Sequence, residues 1–101
     1  MLRITTEENT QAFTLRLEGR LEGPWVAVLA ECCRSALPKL GGRRLCVNLN
    51  GVMFVDPEGK AWLADIYGQG AELLAEDIET KAIVAEIRTN CAGAVDGKSR
   101  H

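Results

Sequence analysis

The sequence predicts an α/β fold, a mixed and mostly parallel sheet of about four strands packed by about three helices. Three observations point there. Apolar and polar residues alternate from Phe13 through Thr14, Leu15, Arg16 and Leu17 to Glu18, the period-two pattern of a half-buried strand. Pro24 and Pro57 each open a stretch in which apolar residues recur at helical spacing. Between those stretches Leu45, Cys46, Val47 and Leu49 form a nearly continuous apolar run, as a central strand covered on at least one face does.

The elements follow in order. Leu2-Arg3-Ile4-Thr5 alternates and reads as a short strand, Glu7 to Gln11 is a polar turn, and the strand around Phe13 to Leu17 completes a hairpin. Gly19 to Gly23 connects to a helix whose Trp25, Val26, Leu29, Cys32 or Cys33, Ala36 and Leu37 fall on an apolar side; Pro38 and Gly41-Gly42 end it. Arg44 to Leu49 is the next strand. Asp56-Pro57-Glu58-Gly59 then opens the second helix. Asp56 suits the N-cap, Pro57 the first helical position, and Glu58 the positive end of the helix dipole. Ala61, Trp62, Leu63, Ile66 and Tyr67 give that helix a broad apolar face, and Gly68 and Gly70 mark its end.

The last third reads in two ways. In one, Ala71 to Ala75 is a short strand and Asp77 caps a helix from Ile78 to Arg88, with Ile78, Ala82, Ile83 and Ile87 on one face. In the other, the second helix continues past Gly70 and Thr80 to Ile87 is the last strand. Residues 1–90 then make a single domain, and 91–101, small and polar, a flexible C-terminal tail.

Composition narrows function. A chain of 101 residues with 47% hydrophobic residues supports one modest core. Its net charge of −2 and the absence of any basic run beyond Arg43-Arg44 argue against nucleic-acid binding. No segment is long and apolar enough for membrane insertion, and the polar start MLRITTEENT does not read as a signal peptide, so the expected location is cytoplasmic. Cys32, Cys33, Cys46 and Cys91 lack CxxC spacing and the one histidine is His101, so neither a metal site nor a cofactor is expected. Cys46, and the Cys32-Cys33 pair within the helix, read as packing residues.

Catalysis has little to stand on. Ser35 and Ser99 lack a visible base, and no glycine-rich phosphate loop occurs. Asp56 and Glu58 form a close carboxylate pair that acid–base chemistry can use, but first-turn acids ordinarily serve the helix start. No catalytic residue is assigned.

The stretch Val47 to Gly59, VNLNGVMFVDPEG, also carries a family resemblance. A strand followed by Gly-Val-x-Phe-x-Asp, two residues and Gly is similar to the signature of STAS domains, which include the bacterial anti-sigma-factor antagonists. Gly19-Arg20-Leu21-Glu22 after the second strand resembles the family's Gly-x-Leu-Asp, and the likeness extends from Leu2 to Ile87. The resemblance implies a STAS-like fold and favours the strand-then-helix order for the last third. It implies a non-enzymatic regulatory module in signalling and transcription, docking a kinase-like anti-sigma factor through residues 53 to 60. The expected contact residues are Met53, Asp56, Pro57, Glu58, Gly59 and Lys60.

One departure stands out. Phosphorylated members carry Ser or Thr just before the glycine, and this chain has Glu58 there, preceded by Pro57, so the phospho-acceptor position cannot be phosphorylated. Glu58 is either a permanent, weaker imitation of the phosphorylated state or a plain helix-start residue; the second is favoured, because a switch would not need Pro57. Asn48 and Asn50 stand at the strand end, where the choice lies between backbone support and a small polar ligand pocket. The pocket belongs to the alternative function, an accessory subunit of a transport system or a small-ligand sensor.

Overall fold

A computed structural model of the chain describes residues 1–99, and the side chains of residues 1–89. The elements are β1 (Leu2–Glu8), β2 (Ala12–Leu21), α1 (Pro24–Ala36) with a single 3-10 turn at Leu37–Lys39, β3 (Arg44–Val55), α2 (Pro57–Gly68), β4 (Glu72–Leu74) and α3 (Ile78–Ser99). One sheet runs in the order β1-β2-β3-β4. β1 is antiparallel to β2, while β2 with β3 and β3 with β4 are parallel. This is the α/β architecture expected, with the strand-then-helix order in the last third.

The sheet is two-faced because its sequence alternates. Phe13, Leu15, Leu17 and Leu21 of β2, Leu45, Val47 and Leu49 of β3, and Leu73 of β4 are buried in one cluster. Val26, Leu29 and Cys33 of α1, Leu63 and Ile66 of α2, and Val84 and Ile87 of α3 join the same cluster. The intervening residues lie on the other side of the pleat, where Arg3 stands beside Glu18 and Thr5 beside Arg16. The hairpin turns on Asn9, whose Oδ1 accepts the N–H groups of Gln11 and Ala12, both at 2.8 Å.

Five boundaries differ from the sequence reading. β1 extends to Glu8 and β2 to Leu21, because backbone pairing continues through polar residues. β3 continues to Val55 rather than stopping at Leu49. Leu37 leaves the apolar side of α1, since Pro38 tightens the end into the 3-10 turn and Leu37 faces solvent. α3 does not end at Arg88, and the segment read as a tail from residue 91 continues the helix to Ser99, with Arg100 and His101 outside the described residues. That stretch holds no proline, and a glycine costs a helix only about 1 kcal/mol relative to alanine.

The apolar face of α3 is also shifted. Ile78 is 87% exposed and Ala82 is exposed, whereas Thr80, Val84 and Ile87 are buried with Ile83 partly so. The cap sets this phase. Asp77 Oδ1 accepts the Thr80 N–H at 2.7 Å and the Thr80 hydroxyl at 2.6 Å, which turns Thr80 inward and Ile78 outward.

Candidate functional site at the β3–α2 corner

The site is built by two irregularities in β3. Arg16 pairs with Asn48 but Glu18 with Gly51, and Gly19 pairs with Val52 but Arg20 with Phe54. Each shift leaves an extra residue on the β3 side, as a β-bulge does. The second skips Met53, which projects to solvent at 72% exposure. Phe54 is also exposed, and Val55 turns inward. Arg20 lies over the Phe54 ring, 4.7 Å from its centroid, and is anchored by Glu22 at 2.7 Å. The expected contact residues did not include Arg20, Phe54 or Glu22; the register places them at this corner, and no local periodicity announces that.

Asp56 organises the corner. Its Oδ1 accepts the N–H of Gly59 at 2.7 Å, the bond of an N-cap. Its Oδ2 accepts the N–H of Gly23 at 2.9 Å, and its own N–H donates to Leu21 O at 3.1 Å. Gly23 is the N-cap residue of α1 and has no side chain to cap with. One carboxylate therefore secures the starts of two helices. These backbone donors, Gly23 first and then Gly59, hold the Asp56 carboxyl below the usual carboxylate range.

Gly59 is buried because its α-carbon sits against the end of β2. A Cβ there would come within 2.9 Å of Leu21 O and 2.9 Å of Val55 Cγ1. Gly59 thus fits the helix start to the sheet and lies beneath the surface rather than on it. Pro57 and Glu58 are exposed at the tip. Lys60 is half-buried and leans toward α3, pairing with Glu86 at 3.5 Å. The expected contact set therefore divides. Met53, Pro57 and Glu58 are presented to solvent, Asp56 and Gly59 support them, and Lys60 faces a neighbouring helix.

Asn48 and Asn50 do backbone work. Asn48 Oδ1 accepts the Asn50 N–H at 2.9 Å, which shapes the first bulge. Asn50 Oδ1 accepts the Glu76 N–H at 2.6 Å, which ties the end of β4 to β3. A larger cleft of about 600 Å³ lies instead at the other end of the sheet, where β2, β3 and β4 begin, between Gln11, Gly42, Arg44, Cys46 and Glu72. Its arginines are paired within the chain. Arg44 meets Glu72 at 2.9 Å, and Arg43 meets Glu8 at 3.0 Å and the carbonyls of Lys39 and Leu40.

The remaining chemistry is muted. Asp56 and Glu58 do not act as a pair, since both Asp56 oxygens accept backbone N–H groups and Glu58 points to solvent. Cys33 and Cys46 are buried, burial raises both thiols, and neither presents a thiolate. The Thr80 hydroxyl is likewise withdrawn from solvent, only 2% of the residue being exposed and the hydroxyl donating to Asp77 Oδ1.

No protein-family profile matches this sequence, and no curated protein does. A solved structure described as "Crystal Structure Analysis of Mglu" superposes with a TM-score of 0.58 at 20% identity, covering 74% of this chain and 19% of that chain. At that identity the likeness speaks for the fold alone. It matches one fifth of a larger molecule, so this architecture occurs there as part of a longer chain. No described helix is long and apolar enough to cross a membrane.

Proposed function

We propose that this chain is a STAS-like regulatory module without enzymatic activity, which docks a protein partner through the β3–α2 corner. The observation that carries the reading is the double use of Asp56. Its carboxylate fixes the starts of α1 and α2, so that Met53, Phe54, Pro57 and Glu58 stand on a rigid, exposed ledge. A preorganised ledge with apolar and acidic residues side by side lowers the ordering cost of association. The sequence signature that resembles the STAS family ends on this ledge, and the partner class it implies is a kinase-like anti-sigma factor.

Glu58 occupies the place of the phospho-acceptor, so docking is constitutive rather than switched by phosphate. Incubation with a cognate kinase and ATP leaves residues 56 to 60 unmodified, and phosphate found there by mass spectrometry overturns that part of the reading. The docking itself is tested by pull-down from native lysate with the wild-type chain beside Met53→Asp. Recovery of a kinase-like anti-sigma factor by the first and its loss from the second supports the module. Equal recovery of a transport subunit by both supports the accessory-subunit alternative. The ligand-sensing alternative is disfavoured by the Asn48 and Asn50 amides, which are engaged by backbone.

A further inference from the structure

β1 is an edge strand; β2 lies on one side of it, and no described residue pairs with the other. The hairpin register shows which backbone groups face that free side. Leu2 stands opposite Gly19 and Arg3 opposite Glu18, and the Arg20 N–H donates to Met1 O at 3.0 Å. Met1 and Arg20 are therefore a hydrogen-bonded pair. Bonded and non-bonded pairs alternate along an antiparallel ladder. Arg3, Thr5 and Glu7 thus direct their backbone groups to β2, and Leu2, Ile4, Thr6 and Glu8 direct theirs outward. Such an edge is a template for another strand. Edges that resist pairing carry proline or like charges, but β1 holds no proline and bears one cation and two anions.

The order of these charges is self-complementary. We infer that two copies of this chain associate edge to edge, β1 antiparallel to β1, about a two-fold axis through Thr5. In that register Arg3 lies opposite Glu7 of the second copy at both ends, and Thr5 lies opposite Thr5. Ile4 lies opposite Thr6 and Leu2 opposite Glu8, so outward-facing backbone groups meet outward-facing backbone groups. Any axis between residues would oppose outward groups to spent ones and put side chains on the wrong faces. Moving the axis to Ile4 sets Arg3 against Thr5, and moving it to Thr6 sets Glu7 against Thr5; both lose the charge pairs.

Within each chain Arg3 already stands 3.8 Å from Glu18 and Glu7 stands 3.4 Å from Arg16. The second copy joins these into a row of alternating sign, Glu18, Arg3, Glu7 and Arg16, across the exposed face of a continuous sheet. Opposite charges facing across strands stabilise pairing, and like charges oppose it.

Light scattering after size exclusion at high micromolar concentration tests this, with twice the monomer mass of 11.0 kDa expected. Arg3→Glu and Glu7→Arg each place like charges across the axis, and each alone is expected to lose dimer affinity at least tenfold. Mixed together they restore opposite charges at both positions and form a heterodimer. Any intrachain effect of either substitution is the same alone and mixed, so the mixing experiment isolates the contact. Thr6→Pro removes an outward N–H while sparing the ladder to β2, and is expected to melt as a folded monomer. A monomeric wild type, single charge variants that remain dimeric, or a mixture that stays monomeric overturns the inference. Should Thr6→Pro not fold, the charge mixture decides alone.

Discussion

Asp56 holds Gly23 from 33 residues away, its Oδ2 accepting the Gly23 N–H at 2.9 Å while Oδ1 caps its own helix. The bond sits where the parallel strands β2 and β3 end together, with Leu21 beside Val55. A helix start without a capping side chain is thereby completed by a residue of another loop. The arrangement makes the candidate docking ledge and the stability of the domain depend on one side chain.

Asp56→Ala should therefore be costlier than an ordinary cap deletion, because two helix starts lose an acceptor. Loss of a single cap corresponds to a fall in Tm of about 4–8 °C in a domain of this size, and Asp56→Ala should reach or exceed that fall in a thermal melt. Asp56→Asn keeps one carbonyl acceptor and should fall less. Equal melting of Asp56→Ala and wild type would remove Asp56 from its organising role.

Acid should weaken the domain through the same group. The carboxyls of Asp56 and Asp77 are both held below their ordinary value of 3.8, Asp56 by the N–H groups of Gly23 and Gly59, and Asp77 first by the hydroxyl of Thr80 and then by its N–H. A lowered folded value means that the unfolded chain takes up protons first as pH falls. The stability both carboxylates supply is complete above 3.8 and is lost as pH drops through the lowered folded values. Melts from neutral pH downward should show Tm falling through that window. The double variant Asp56→Asn, Asp77→Asn should start lower and fall less steeply over the same range; a parallel fall would assign the acid response to other groups.

Gly59→Ala separates packing from propensity. Alanine favours a helix over glycine by roughly 1 kcal/mol, so a free helix start would gain. Here the new methyl meets Leu21 O and Val55 Cγ1, each 2.9 Å away, and one of those contacts is backbone. Overpacking of this kind costs about 1–3 kcal/mol, so Gly59→Ala should be destabilised in denaturant titration. A stabilised variant would show that the corner can give way.

Much of the fold was legible because local chemistry and tertiary demand agree there. Pro24, Pro57 and the cap at Asp77 start their helices where proline and aspartate signals put them, and the β2 alternation marks its buried face. The end of β3 was hidden because its bulges break the period of two. Its buried residues run Val47, Leu49, Val52, Val55, and Asn50-Gly51 looks like a stop when it is a kink in a continuing strand. At the candidate site the cap role of Asp56 toward Gly59 follows from local sequence. Its bond to Gly23, the Arg20–Phe54 stacking and the Lys60–Glu86 pair join distant segments, and neither periodicity nor capping rules carry such information.

Met53 and Glu58 should part company in binding. Met53 occupies the bulge, is 72% exposed and belongs to no core cluster, so Met53→Asp should change stability by no more than about 0.5 kcal/mol. If the ledge is the docking surface, an apolar anchor at its centre should count among the residues worth more than about 1 kcal/mol of binding, and Met53→Asp should weaken partner affinity at least tenfold. Glu58 is solvated on the helix tip and is expected to serve the dipole of α2, so Glu58→Ser should leave affinity nearly unchanged and lower Tm slightly. Calorimetric titration of the captured partner with both variants reads the two effects apart. Tighter binding by Glu58→Ser would make that glutamate a built-in charge lock, and unchanged binding by Met53→Asp would move the docking surface away from the β3 bulge.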